Sequence, residues 1–89
     1  MTAKEMFEKL GYELIENGKT YLRYANYDDK EHHYMGGDFI DFDKKAKQFR
    51  LTRKTGQGNT HFKYGDLQEL QAINKQIEEL GWIKEKKDE

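Results

Sequence analysis

The chain has 89 residues and a formal net charge of −1, and 37% of its residues are charged against 35% that are hydrophobic. This length favours one domain, because two cores of such a composition would each be too small to close. The absence of cysteine excludes disulfide frameworks, thiolate catalysis and cysteine-ligated zinc. We expect a single domain over residues 1–83, a charged and disordered tail at 84–89, no secretory signal and no membrane span.

The first predicted element is a short N-terminal helix. Thr2 and Glu5 form a T-x-x-E capping box, in which each side chain accepts a hydrogen bond from the other residue's backbone N–H. Apolar residues, including Phe7, then recur at helical spacing. Gly11 is predicted to end the helix in a left-handed conformation, so that Tyr12 folds back onto Phe7.

A first hairpin is expected at Asn17-Gly18, a pair that is typical of a two-residue type I′ turn because both residues accept positive φ. The turn fixes the register of the two strands. The predicted pairs are Glu16 with Lys19, Ile15 with Thr20, and Leu14 with Tyr21.

A second hairpin is predicted between residues 39–42 and 48–52, because apolar and polar residues alternate in both segments. The residues predicted to face the core are Ile40, Phe42, Phe49 and Leu51. Those predicted to face water are Asp41, Asp43, Arg50 and Thr52. Residues 55–60 (TGQGNT) are predicted to form a loop, and residues 61–64 (HFKY) a short fifth strand.

The last predicted element is an amphipathic helix that begins with the D-x-x-E capping pair Asp66 and Glu69. Gly81 ends it and places Trp82 against Ile77. The apolar face predicted to be buried consists of Leu67, Leu70, Ile73, Ile77 and Leu80. The order of elements predicts an α+β fold, with an antiparallel sheet of three to five strands flanked by an N-terminal and a C-terminal helix packed on it.

Three segments resemble small proteins encoded by phages and prophages of low-GC Gram-positive bacteria. They are TAKEMFEKLGY at residues 2–12, the I-x-F-D pattern at residues 40–43, and ELQAINKQIEELGW at residues 69–82. The resemblance implies a phage-derived accessory protein that acts in the bacterial cytoplasm. It assigns a role to no individual residue.

The histidines in EHHYMGG (residues 31–37) raise the question of a metal site. His32 and His33 are adjacent, and adjacent residues of a strand point to opposite faces, so the two cannot share one ion without a kink in the backbone. The spacing of helical metal ligands is absent as well. An HNH-type nuclease would need a helix soon after Asn59 and His61, and none is predicted there. We interpret the segment as a polar loop and expect no metal and no cofactor.

Two other patterns are weaker indications of catalysis. Asp41 and Asp43 share a strand face, as an acid–base pair would, but alternation predicts the same for any solvated face. The loop at residues 55–60 has neither the G-x-x-x-x-G-K-[ST] spacing of a phosphate-binding loop nor a helix directly after it. We therefore expect that the protein is not an enzyme.

The charge distribution is the most informative functional feature. Between residues 44 and 65 there is no acidic residue. The basic residues in this segment, which we consider candidate contacts for a partner or for nucleic acid, are Lys44, Lys45, Lys47, Arg50, Arg53, Lys54 and Lys63. The preceding residues 28–43 carry six acids against one lysine. The basic segment could bind a partner, track a nucleic-acid backbone, or pair with the acidic segment inside the fold or in a dimer.

Our prediction from the sequence is a non-catalytic protein-interaction module that binds a host or phage protein. The alternative is a small nucleic-acid-binding protein that uses the basic hairpin at residues 44–63. Either protein would act as a monomer or homodimer, without contact with a membrane.

Overall fold

A computed structural model describes residues 1–83, and the tail predicted at 84–89 lies outside the described residues. As predicted, the fold is α+β, with one antiparallel sheet of five strands flanked by an N-terminal and a C-terminal helix. The helices are α1 (Ala3–Lys9) and α2 (Leu67–Leu80), and a 3₁₀ turn spans His33–Met35. Within the described residues, no helix is long and apolar enough to cross a membrane. The strands are β1 (Glu13–Asn17), β2 (Tyr21–Tyr27), β3 (Gly36–Asp43), β4 (Gln48–Thr55) and β5 (Thr60–Phe62).

The strands lie in the sheet in their chain order, β1-β2-β3-β4-β5. The second predicted hairpin is confirmed, with Phe42 of β3 opposite Phe49 of β4 and a turn in which Lys47 has φ 57°. The short fifth strand is also confirmed, and Phe62 lies opposite Thr52. Phe49 was predicted to be buried but is 45% exposed, and it lies at the end of β4 that has no β5 residue beside it.

The first hairpin forms, but the type I′ turn and the register predicted for it are both wrong, because neither Asn17 nor Gly18 has positive φ and Asn17 lies opposite Leu22. Leu14 lies opposite Tyr24 rather than Tyr21. Paired residues of antiparallel strands share a face, so the predicted pairing would have turned Arg23 into the core. The observed register buries Leu22 and Tyr24 instead. The hairpin therefore lacks the tight Asn-Gly turn and buries two large side chains.

Both helices begin and end as predicted. Thr2 and Asp66 accept hydrogen bonds from the backbone N–H groups of Glu5 and Glu69, whose side chains complete the two capping boxes. Gly81 ends α2 in the left-handed conformation, at φ 74°. The capping boxes predict where each helix starts, and Glu79 of α2 also accepts a 2.8 Å hydrogen bond from the backbone N–H of Ala3 at the start of α1.

The core lies between the helices and one face of the sheet, and its centre is aromatic. Phe7 of α1 stacks on Tyr24 of β2 with ring centroids 4.1 Å apart, and Tyr12 meets Phe7 edge-on at 5.9 Å, as the helix ending predicts. Trp82 lies against Phe42, with centroids 6.1 Å apart. Aromatic pairs in these geometries contribute beyond the area they bury.

The buried face of α2 differs from the predicted one. Ile73 is buried, but Leu67 and Leu70 are 68% and 47% exposed. Gln76 is buried, and its Oε1 accepts a 2.6 Å hydrogen bond from the hydroxyl group of Tyr24. The helix is rotated so that its polar acceptors reach buried hydroxyl groups, which would otherwise be unsatisfied. Apolar periodicity contains no information about this requirement.

The polar loop predicted to extend to residue 37 is shorter, because Gly36 and Gly37 belong to β3. Both glycines are buried. Gly36 has φ 101°, and a Cβ there would collide with the backbone oxygen of Lys54. At Gly37 a Cβ would lie 2.6 Å from the backbone oxygen of Asn26. The double glycine therefore lets β2 and β4 pack closely on either side of β3.

Candidate binding surface on the open face of the sheet

The helices cover one face of the sheet, and we call the other the open face. Alternation along the strands places the core residues Leu22, Tyr24, Ile40 and Phe42 on the covered face. The same alternation places on the open face Arg23, Ala25, Tyr27, Phe39, Asp41, Arg50, Thr52, Lys54 and Phe62. Although no helix covers them, four of these are buried: Ala25, Phe39, Asp41 and Thr52.

Asp41 is at the centre of the open face. It was predicted to face water, and this is wrong, because its side chain is only 6% exposed. The cross-strand register places Arg23 on one side of it and Arg50 on the other. Arg23 Nε lies 2.7 Å from Asp41 Oδ1, and Arg50 Nη2 lies 2.9 Å from Asp41 Oδ2. The carboxylate is buried because two arginines cover and neutralise it.

Arg23 also organises the aromatic part of the open face. Its guanidinium carbon lies 4.6 Å from the centroid of the Phe39 ring, which is a cation–π geometry. Tyr27 meets Phe39 edge-on, with centroids 5.7 Å apart, and stacks on His33 at 3.7 Å with an angle of 3° between the rings. The three rings and the guanidinium group form one ordered layer.

A groove of about 550 Å³ crosses this layer. Arg23, Tyr27 and Phe39 form its floor, and Ile15 of β1 forms one wall. The opposite walls are the end of β4 with the loop after it, which contribute Lys54 and residues 55–58, and the 3₁₀ turn, which contributes His33 and Tyr34. We call this cavity the Arg23 groove. A second, shallower groove of about 460 Å³ runs along β4 and β5 beside Phe62.

Arg53 of β4 lies on the covered face, opposite Asp38 of β3. It donates to Asp38 Oδ1 over 3.0 Å and to Asp28 Oδ2. The hydrogen bond to Asp28, and then the one to Asp38, raise the pKa of Arg53. The acidic and basic segments are thus paired within the fold at this point, as they are at Asp41 and Arg50.

Lys63 belongs to a buried cluster beside the start of α2. Its Nζ lies 2.9 Å from Oε2 of Glu69, which also accepts a 2.7 Å hydrogen bond from the hydroxyl group of Tyr12. Burial, followed by the contact with Glu69, raises the pKa of Tyr12. The cluster connects the residue before β1, the segment after β5 and α2, and Lys63 is only 16% exposed.

The remaining predicted contact residues lie at opposite ends of the sheet. Lys44 donates to the backbone oxygen of Gly18 over 2.7 Å, so it supports the first hairpin turn. Lys45 and Lys47 are exposed in the turn between β3 and β4. Lys54 lines the Arg23 groove. The structure therefore does not bring the seven basic residues together as one patch.

The two histidines point to different partners. His32 Nδ1 lies 2.9 Å from Asp29 Oδ2, whereas His33 Nε2 lies 3.0 Å from the backbone oxygen of Lys30. The hydrogen bond from His32 lowers the pKa of the Asp29 carboxyl. Across residues 1–83, no three His, Asp or Glu side chains are grouped so as to hold a metal ion.

Sequence reasoning missed the residues that build the Arg23 groove. Arg23, Tyr27, Phe39 and Tyr34 were not among the predicted contact residues, which all belong to the basic segment at residues 44–63. The alternation in YLRYANY contains the necessary information, since it places Tyr21, Arg23 and Tyr27 on one face. Comparison with protein-family models, curated proteins and solved structures finds no match for the chain.

Proposed function

We propose that the protein is a non-catalytic interaction module whose open face binds a host or phage protein. The observation that carries the proposal is the ordered layer of Arg23 and aromatic rings, with two exposed aromatic residues beside it. Tyr34 is 73% exposed at the end of the sheet, and Phe62 is 86% exposed at the β5 edge. Aromatic residues and arginine are enriched at the centres of protein interfaces and dominate their binding energy.

The arrangement of Arg23 supports the proposal further. Its guanidinium group is held by Phe39 below and Asp41 beside it. A side chain that is already fixed loses less conformational entropy on binding than a free one. The open face is therefore preorganised rather than a set of mobile surface side chains.

The resemblance of residues 2–12 and 69–82 to phage-encoded proteins supports the bacterial cytoplasm as the setting. It also supports a host or phage protein as the partner. Neither point depends on the geometry of the open face.

The experiment is site-specific photo-cross-linking in cells of a low-GC Gram-positive bacterium. A photoreactive residue replaces Phe62 on the open face or, as the matched control, Leu67, which is 68% exposed on α2. We expect a discrete cross-linked protein from position 62 alone. That protein, once purified, should bind the wild type and bind the Tyr34→Ala, Phe62→Ala variant at least about tenfold more weakly. Equal cross-linking from both positions, or equal binding of the variant, would contradict the proposal.

Nucleic-acid binding is the second candidate function. It is favoured by Lys45, Lys47 and Lys54, for which no ion pair occurs within the described residues. It is disfavoured by the carboxylate partners of Arg50, Arg53 and Lys63. Binding of an oligonucleotide that weakens steeply with salt, with a smaller slope in the Lys45→Gln, Lys47→Gln variant, would support it. No binding at low salt would exclude it.

A further inference from the structure

We propose that the Arg23 groove binds a short acidic peptide segment that carries an aromatic side chain next to a carboxylate. The inference rests on the proposed function and names the chemistry of the partner at one place on the open face. It is carried by the charge of the groove, by the geometry of Arg23 and by the aromatic walls.

The charge of the groove is positive. Of the described residues that line it, Arg23 and Lys54 are basic and none is acidic. Asp41 lies next to Arg23 but also pairs with Arg50, and Glu16, which lies opposite Arg23 on β1, does not line the groove. An anionic group that enters the groove therefore meets an excess of positive charge in a setting partly shielded from water.

The orientation of Arg23 leaves the two terminal amino groups of its guanidinium available to donate hydrogen bonds to a ligand. The atom that approaches Asp41 is the buried Nε, at 2.7 Å, in an ion pair that lacks the geometry of a hydrogen bond. No hydrogen bond from the two terminal amino groups of Arg23 is present among residues 1–83, while 38% of the side chain is exposed. These terminal groups form the planar fork that binds a carboxylate through two parallel hydrogen bonds.

The walls of the groove supply a site for a ring beside the carboxylate. Tyr34 is exposed, the stacked pair of Tyr27 and His33 is parallel to within 3°, and Ile15 faces them from β1. Ring stacking and edge contacts of this kind contribute to binding beyond the area that they bury. A volume of about 550 Å³ lies within the range of roughly 300–1,000 Å³ for ligand sites, so it fits a few side chains.

The same observations favour a peptide over a nucleic-acid strand. A strand of nucleic acid needs a continuous track of cations for successive phosphates. Here the groove offers two cations, and Glu13 and Glu16 are exposed on β1 beside Ile15. These carboxylates would repel a phosphate backbone that left the groove across the β1 edge. A single acidic group with an adjacent ring avoids them.

The test is fluorescence anisotropy with three labelled hexapeptides of glycine that carry one tyrosine followed by one glutamate, glutamine or lysine. A hexamer of thymidylate serves as the nucleic-acid probe. We expect the glutamate peptide to bind the full chain at least about tenfold more tightly than the glutamine peptide, with a salt-dependent affinity. The lysine peptide should not bind.

Variants locate the site. Arg23→Gln and Lys54→Gln should each weaken binding of the glutamate peptide by about tenfold or more, and Tyr34→Ala by a few-fold. The Lys45→Gln, Lys47→Gln variant, which removes two exposed charges outside the groove, should bind as the wild type does. Circular dichroism checks the fold of Arg23→Gln, whereas Lys54→Gln and Tyr34→Ala change exposed side chains.

Each contrary result has a distinct meaning. Equal affinity for the glutamate and glutamine peptides, or no binding of either, overturns the inference. Tighter binding of the thymidylate hexamer, lost in Lys54→Gln, assigns the groove to nucleic acid and overturns it as well. If the peptide fails while a partner still cross-links from position 62, the proposed function stands without this groove. If the peptide binds but no partner cross-links, the proposed function fails and the groove is a separate site.

Discussion

The guanidinium group of Arg23 lies 4.6 Å above the centre of the Phe39 ring. The two residues are diagonal neighbours, because Arg23 pairs with Asp41 and Ala25 pairs with Phe39. An interaction of this kind is worth about 0.5–2 kcal/mol, depending on how far the cation is removed from water. It explains how Phe39 is almost fully buried on a face that no helix covers, and it fixes the floor of the Arg23 groove.

Replacement of Asp41 tests the electrostatic centre of the open face. Asp41→Asn removes the carboxylate that both arginines share, and we expect a loss of about 1.5–3 kcal/mol in the free energy of unfolding, the range for hydrogen bonds to charged groups. The loss should be near the lower limit, because Arg23 and Arg50 are 38% and 55% exposed and can reach water. Urea denaturation measures it.

Asp43→Asn is the matched control on the same strand face. Asp43 Oδ1 accepts from the backbone N–H groups of Lys45 and Ala46, and the asparagine retains that oxygen. We expect a change below about 0.5 kcal/mol. Equal losses in the two variants would mean that the pairing of Asp41 with the arginines contributes no stability.

A pair of substitutions in α2 tests the orientation of that helix. Ile73 is 2% exposed, so Ile73→Ala should cost about 2–5 kcal/mol, as deletions from a packed core do. Leu70 is 47% exposed, so Leu70→Ala should cost less than about 1 kcal/mol. Thermal unfolding followed by circular dichroism compares them. A larger loss of stability for Leu70→Ala than for Ile73→Ala would mean that α2 buries the face predicted from apolar periodicity.

The sequence predicts the order of elements and the helix ends because these depend on local residues. Thr2 with Glu5 and Asp66 with Glu69 form capping boxes that need no distant partner. In contrast, the register of the first hairpin and the rotation of α2 depend on residues that are distant in the sequence. Arg23 must avoid the core, and Gln76 must reach Tyr24 across 52 positions of sequence. Neither constraint is visible in a local pattern.

Alkaline pH should destabilise the protein through its buried tyrosines. Burial raises the pKa of Tyr24 to about 12 from an ordinary value of 10.0. A raised pKa means that the folded state favours the neutral phenol. The resulting stability is fully present below about pH 10 and is lost as the pH rises through about 12. The free energy of unfolding should therefore fall over this interval.

Two variants assign the alkaline effect to Tyr24. Tyr24→Phe should reduce the fall in stability between pH 10 and 12, although part of it will persist because the pKa of Tyr12 is raised as well. Tyr64 is 98% exposed, so Tyr64→Phe should leave the pH profile unchanged. Urea unfolding at a series of pH values provides the comparison. Identical profiles for wild type and Tyr24→Phe would refute the assignment.

Glycine substitutions test the close approach of β3 and β4. Gly36 and Gly58 both have positive φ, at 101° and 92°. A Cβ at Gly58 meets nothing within 4 Å, whereas a Cβ at Gly36 collides with the backbone of Lys54. Gly58→Ala should cost about 1–3 kcal/mol from backbone strain alone. Gly36→Ala should cost clearly more in chemical denaturation, and a smaller loss would argue against this strand packing.

The candidate site was less predictable than the fold. Residues 28–43 are acidic and the following segment is basic, as predicted. However, Arg50 and Arg53 of the basic segment form ion pairs with Asp41 and Asp38 of the acidic one within the fold. Lys54 is the predicted contact residue that the structure places in the Arg23 groove. The rest of the groove comes from β1, β2, β3, the loop after β4 and the 3₁₀ turn, which meet only once the strand order and register are fixed.

The most direct test of the central claim is nuclear magnetic resonance of the isotope-labelled protein during titration with the glutamate–tyrosine peptide. We predict that the amide resonances that shift belong to Arg23, Phe39, Lys54 and the 3₁₀ turn around Tyr34. The resonances of Leu67 and Leu70 on α2 should stay unchanged. Shifts confined to α2 or to the turn that carries Lys45 and Lys47, or no shift at any peptide concentration, would contradict the assignment of the open face as the binding surface.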